Sequence, residues 1–262
     1  MARVRLPAVA GTFYPADPVR LRRRVEGLLA AAAALEAAAP SALIVPHAGY
    51  EYSGPVAATA YAHLARTRPG VRRVLLVGPS HFVWFDGLAL PGADALATPL
   101  GSVEVDAEGE ARARRHPGVI ESPMAHAREH SLEVQLPFLQ VVLPGATVVA
   151  LLCGSVPPEQ VSPVIEEYLG EEGAIVVASS DLSHYLPYEE SRRRDQETAD
   201  AIERLDPGGL SPESACGLVG VQALLLAARG LGLKATCLDL RNSGDTARDR
   251  RRVVGYGAFS FA

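Results

Sequence analysis

Apolar residues in this chain gather in short, nearly unbroken runs rather than in strict alternation. Ala42-Leu43-Ile44-Val45, Val74-Leu75-Leu76-Val77, Val148-Val149-Ala150-Leu151-Leu152 and Ala174-Ile175-Val176-Val177-Ala178 are such runs, rich in β-branched side chains. Bounded by turn residues, they predict strands buried on both faces, the habit of a parallel sheet. Between them the apolar period lengthens to that of a helix. Leu21, Val25, Leu28 and Leu29 mark one helix, with Asp17 as its N-cap and Pro18 at its first position, and the alanines that follow predict its continuation to Pro40.

Further helices are expected over residues 54–66, 107–115, 132–142, 158–169, 189–205 and 218–229. Strands are expected over 234–241 and 253–261, joined through a turn at Asn242-Ser243-Gly244-Asp245. Residues 87–90 and 97–105 read as an antiparallel excursion, and residues 4–15 as an irregular arm. Strands alternate with helices, with no repeat and no linker. The expectation is therefore an α/β single domain with a mixed, largely parallel sheet flanked by helices.

Composition narrows the function. The chain has 262 residues, 48% of them hydrophobic, enough for one large core. A net charge of −5 gives no reason to expect nucleic acid as a partner. Lys234 is the only lysine, and the arginine triplets Arg22-Arg23-Arg24, Arg192-Arg193-Arg194 and Arg250-Arg251-Arg252 read as solvated faces. Cys153, Cys216 and Cys237 are odd in number and widely spaced, which argues against a disulfide framework and for a reducing cytoplasmic setting. No apolar run is long enough for a signal peptide or a membrane span, so no membrane partner is expected.

Three of the apolar runs end in the same way. Leu43-Ile44-Val45-Pro46 delivers His47, Val77-Gly78-Pro79-Ser80 delivers His81, and Ala178-Ser179-Ser180 delivers Asp181 and then His184. In an open α/β sheet, ligands bind outside the carboxyl ends of the strands. These side chains are therefore expected to share one pocket. Cys216 stands just before an apolar helix, whose dipole would favour a thiolate. Two imidazoles and one thiolate would make a three-ligand site with open positions, as catalytic metals use. Asp181, three residues from His184, is expected to orient that imidazole for proton transfer. His126 and His130, four apart, would share a face if that region were helical, which is a weak metal signal by itself. His63 and His116 read as an interhelical or surface residue and a turn residue.

Taken together, Ala10-Gly11-Thr12-Phe13-Tyr14, Pro46-His47-Ala48-Gly49-Tyr50, Gly78-Pro79-Ser80-His81, Glu129-His130-Ser131-Leu132-Glu133, Ser179-Ser180-Asp181-Leu182-Ser183-His184, Cys216-Gly217, and Ser243-Gly244-Asp245 with Val254-Gly255-Tyr256 resemble the Memo family (mediator of ErbB2-driven cell motility). Its bacterial and archaeal members are often called AmmeMemoRadiSam system protein B. The resemblance covers nearly the whole chain. It implies a fold similar to class III extradiol dioxygenases, with iron or copper held by His47, His81 and Cys216. His184 then corresponds to the proton-transfer histidine, with Asp181 beside it. His130 and Tyr50 are expected to line the same pocket. A cysteine where the dioxygenases have a carboxylate speaks against ordinary catechol cleavage. The resemblance also implies a radical-SAM protein and an AMMECR-like protein as partners.

Two functions follow as expectations. One is a mononuclear metal-dependent redox enzyme acting on a small molecule. The other is a peptide- or partner-binding module on a dioxygenase-like scaffold, using the aromatics of residues 82–85 and the arginines of 248–252.

Overall fold

The computed structural model describes residues 2–247 and 249–262, so Arg248 of the arginine segment lies outside the described residues. The chain opens with the two-residue strand β1 (Val4–Arg5), α1 (Pro18–Ala31), β2 (Ala42–Val45), α2 (Gly54–Thr67) and β3 (Arg73–Pro79). An excursion follows through β4 (Leu88–Leu90), β5 (Ala95–Thr98), β6 (Gly101–Glu104), α3 (Ala107–Ala113), β7 (Val119–Glu121), α4 (Pro123–Ala127) and α5 (Leu136–Val142). The chain then runs through β8 (Thr147–Cys153), α6 (Pro158–Leu169), β9 (Ala174–Ser179), β10 (His184–Leu186), α7 (Tyr188–Glu203), α8 (Leu218–Gly230), β11 (Ala235–Asn242), α9 (Ser243–Thr246) and β12 (Val253–Phe261).

The main sheet has the order β10-β12-β2-β9-β3-β8-β4-β7, with β11 also paired to β12. Its centre is parallel, β2 with β9, β9 with β3 and β3 with β8, while β12, β10 and β4 join antiparallel. The fold is thus single-domain α/β with a mixed sheet between helices. The strand period explains the unbroken apolar runs. Leu43, Val45, Val74, Leu76, Ile175 and Val177 face one core, under α1, α2 and α5. Ala42, Ile44, Leu75, Val77, Val176 and Ala178 face the other, under α6, α7 and α8. Successive side chains point to opposite faces, and both faces are covered. All four residues of β2 are fully buried. At about 1.5–3 kcal/mol per large apolar side chain, this anchors the strand firmly at the edge where His47 emerges.

Several local expectations change. α1 ends at Ala31 rather than at Pro40, because the alanines beyond it offer no apolar stripe to bury, and propensity alone does not sustain a helix. The stretch at 133–135 is a 3₁₀ turn ahead of α5. Strand β1 of the arm and β5 and β6 of the excursion form a separate three-stranded sheet, β1-β5-β6, while β4 and β7 join the main sheet. Asn242 to Asp245 is not a plain turn. Asn242 caps α9, and Asp245 accepts back from the Asn242 amide at 3.0 Å, closing a capping box. His184 sits on a short strand against β12, not in a free loop.

Candidate metal centre

The parallel strands β2, β3 and β9 end on one edge of the sheet, with β9 between the other two. Pro46 has no N–H to continue the ladder. His47 then turns inward, and its backbone amide donates to Asp181 Oδ1 at 2.7 Å. Asp181, just past β9, is buried, and burial pushes its carboxyl up to about 7 against the opposing amide bonds from His47 and Ala48. Its work is to hold the loop after β2. It does not orient His184, as the sequence led us to expect. The His184 Nδ1 instead lies 2.8 Å from the carbonyl of Leu182. A carbonyl can only accept, so Nδ1 carries the proton and Nε2 is left basic at the exposed side of the cleft.

Cys216 approaches from the loop before α8. Its amide donates to the carbonyl of Asp181 at 3.2 Å, and its Sγ stands 3.1 Å from His47 Nε2. The backbone has to come this close. A side chain at Gly217 would place its Cβ 2.6 Å from the Ser179 carbonyl oxygen and 2.8 Å from Ser180 Cβ. The thiolate expected from the helix start is corrected by burial. Desolvation, reinforced by the charge of Asp181, pushes the Cys216 thiol up to about 12. The Gly217 amide, which also donates to Ser180 Oγ at 2.9 Å, and the Ser180 hydroxyl favour the thiolate, but burial outweighs them.

His81, beyond β3, is held by Glu129. The carboxylate accepts from the His81 amide at 2.6 Å and pairs with the ring Nδ1 at 2.9 Å. It also accepts from the amides of His130 and Ser131, each at 2.9 Å. Burial pushes Glu129 up, but these bonds outweigh it and hold the carboxyl down at about 2. An ionised Glu129 needs a donor opposite it, so it takes the Nδ1–H of His81 and leaves Nε2 as the nitrogen that faces away from the carboxylate, toward the cleft. A carboxylate behind a histidine in this way is the usual arrangement for a metal-bound imidazole. Burial, with neighbouring His81 and His130, pushes His47 well below its ordinary value, so its ring is neutral.

One donor atom each from His47, His81 and Cys216 lies within 4.8 Å of the others. An ion about 2.1 Å from nitrogen and about 2.3 Å from sulfur would set such donors roughly 3–3.6 Å apart. The His47–Cys216 separation fits that range. His130 joins as a third imidazole, stacked on His81 with centroids 4.7 Å apart and 5.5 Å from the His47 ring. His130 also lines the cleft, a cavity of ≈ 860 Å³ walled by Phe13, Tyr52 and Tyr256 among others. Tyr50 does not line it. It is buried beneath, its hydroxyl donating to the Val134 carbonyl at 2.7 Å and its ring packed on Phe138. His126 does not share a face with His130, since α4 stops at Ala127, and its Nε2 is bound to the Ala89 carbonyl at 2.8 Å. His63 is buried against the Ala38 carbonyl, and His116 pairs with Glu167, both outside the cleft.

A sequence profile described as "Memo-like protein" matches residues 5–260. The chain belongs to the Memo family. A MEMO1 family protein of Aquifex aeolicus is 38% identical over 97% of each chain. One of Sulfolobus acidocaldarius is 35% identical, covering 98% of this chain and 99% of its own length. One of Aeropyrum pernix is 37% identical over 98% of this chain and 99% of its own.

In this Memo protein the residues that support the histidines are the ones least legible in the sequence. Glu129 stood inside a recognised segment without a role, because nothing local says that it reaches His81, 48 positions earlier. Glu133, in the same segment, ties down the N-terminal arm. It accepts from Arg5, from the amides of Ala8 and Val9 and from the Tyr14 hydroxyl, which sets Phe13 against His130.

Proposed function

We propose that this Memo-family chain is a mononuclear metal-dependent redox protein whose ligands are His47, His81 and Cys216. The observation that carries this reading is the convergence of two imidazole nitrogens and one thiol within 4.8 Å of one another in a single cleft. Iron or copper suits a mixed imidazole and thiolate set, and would supply Lewis acidity and a one-electron couple. The chain's own residues do the rest. The aromatic wall of Phe13, Tyr52 and Tyr256 receives a small organic substrate and excludes water around it. His184 presents its basic Nε2 at the cleft edge and is suited to take up or return the substrate's proton. Asp181 keeps the His47 loop in place. The three free cysteines suit a reducing compartment, in keeping with a cytoplasmic location, and among the described residues no helix is long and apolar enough to cross a membrane.

Elemental analysis of anaerobically purified protein is expected to find close to one iron or copper per chain. His47→Ala and Cys216→Ser should each abolish uptake while leaving the circular dichroism spectrum unchanged. A protein without metal that takes none up on titration would refute the reading.

A second reading is a peptide-binding module on the same scaffold, and the exposed rings of Phe82, Trp84 and Tyr185 support it. In that case a peptide array gives binding that survives chelation, and metal-dependent oxygen consumption is absent. A radical-SAM protein and an AMMECR-like protein are candidate partners under either reading.

A further inference from the structure

His47 is held differently from His81, and the difference fixes its proton. The chain of contacts begins at the Pro46 carbonyl, which can only accept and lies 3.0 Å from Gln135 Nε2. That sets the amide of Gln135 one way round. Its oxygen accepts from the Tyr61 hydroxyl at 2.9 Å, and its second N–H points to Ser179 Oγ at 2.9 Å. Ser179 has a single hydroxyl proton, and the Ser131 carbonyl, 2.6 Å away, takes it. The remaining lone pair of Ser179 faces His47 Nδ1 at 3.0 Å. Only a donor satisfies it. All four side chains and the carbonyls they meet lie in the interior, with Tyr61, Gln135, Ser179 and His47 each no more than 2% exposed. An unmet group there would have no water to turn to.

We infer that Tyr61, Gln135 and Ser179 form a hydrogen-bond relay that holds His47 as its Nδ1–H tautomer and keeps Nε2 bare toward Cys216, so that Ser179 and Gln135 are positioning residues of the centre. The metal reading gives the bare nitrogen its purpose, but the tautomer itself is set without any ion. The relay ends in a neutral hydroxyl, whereas His81 ends in a carboxylate. The two imidazoles are therefore unequal, with His81 the more electron-rich. In the metal-free protein, Nε2 of His47 accepts the Cys216 S–H across their 3.1 Å contact.

The test is a long-range ¹H–¹⁵N correlation spectrum of histidine-labelled, chelator-stripped full-length protein, read beside Fe(II) affinity from competition with a chromophoric chelator. In the wild type the His47 ring is expected to show a protonated Nδ1 and a bare Nε2. Ser179→Ala removes the acceptor, so the Nε2–H form should gain population and Fe(II) affinity should fall 10–100-fold. Gln135→Met, which leaves Ser179 in place but unanchored, should move both readouts the same way by less. A wild-type His47 protonated at Nε2 overturns the inference with no variant needed, and so does a folded Ser179→Ala whose tautomer and affinity are unchanged. If the wild type takes up no iron while the tautomer responds as stated, the metal reading falls and the relay stands.

Discussion

Glu129 holds His81 twice, once through the backbone amide at 2.6 Å and once through the ring Nδ1 at 2.9 Å. One buried carboxylate thus sets both where the residue sits and which nitrogen it offers. Glu129→Gln keeps the shape but turns one oxygen into a donor facing N–H groups. Metal affinity is expected to drop 10–100-fold. Chelator competition on the purified variant measures it, and an unchanged affinity with the fold intact would remove Glu129 from the centre.

Cys216 is protonated at neutral pH, since burial pushes its thiol up to about 12. Metals bind the thiolate, so uptake has to expel that proton. Titrating Fe(II) or Cu(I) into weakly buffered protein at pH 7 should release close to one proton per ion bound. Binding with no proton release would mean that Cys216 is already a thiolate at pH 7 or is not a ligand, and Cys216→Ser, which abolishes uptake only if it is a ligand, separates the two.

Gly217 lets the Cys216 loop lie against the end of β9. A Cβ there would meet the Ser179 carbonyl at 2.6 Å, and that backbone is fixed in a fully buried strand end. Gly217→Ala is expected to lower stability by about 1–3 kcal/mol, read as the shift of a urea midpoint. It should also displace the sulfur from His47 and weaken metal uptake. A variant as stable as the wild type would mean the loop relaxes without cost.

His126 gives the protein a built-in acid sensitivity away from the cleft. Burial pushes it down to about 4 against the Ala89 carbonyl bond, while the ordinary value is 6.5. Above pH 6.5 both folded and unfolded chains carry it neutral, and its contribution is complete. As pH falls from 6.5 toward 4 the unfolded chain gains a proton that the folded chain refuses, so stability declines, by up to about 3 kcal/mol. His126→Gln, which still offers the Ala89 carbonyl a donor, should flatten that part of the stability curve relative to the wild type. Parallel curves for the two proteins would show that His126 titrates normally.

The sequence by itself determined the α/β class, most element boundaries and the delivery of His47, His81, Asp181 and His184 to strand ends. These are local properties. An apolar run ending in Pro46 or Gly78-Pro79 specifies a buried strand and where it stops, and parallel strands share one carboxyl edge whatever their order. Cys216 was legible as a cysteine just before an apolar helix, and the family resemblance placed it with the two histidines. Only the tertiary structure decided what supports each of these side chains. Glu129 behind His81, Ser179 and Gln135 behind His47, and Leu182 rather than Asp181 behind His184 depend on which strands are neighbours and how loops pack over them. The thiol state of Cys216 is decided in the same way. A helix start is legible in sequence, whereas desolvation is set by everything folded around the sulfur. Tyr50, expected in the cleft, follows His47 where the chain turns, and its ring packs in the core against Phe138.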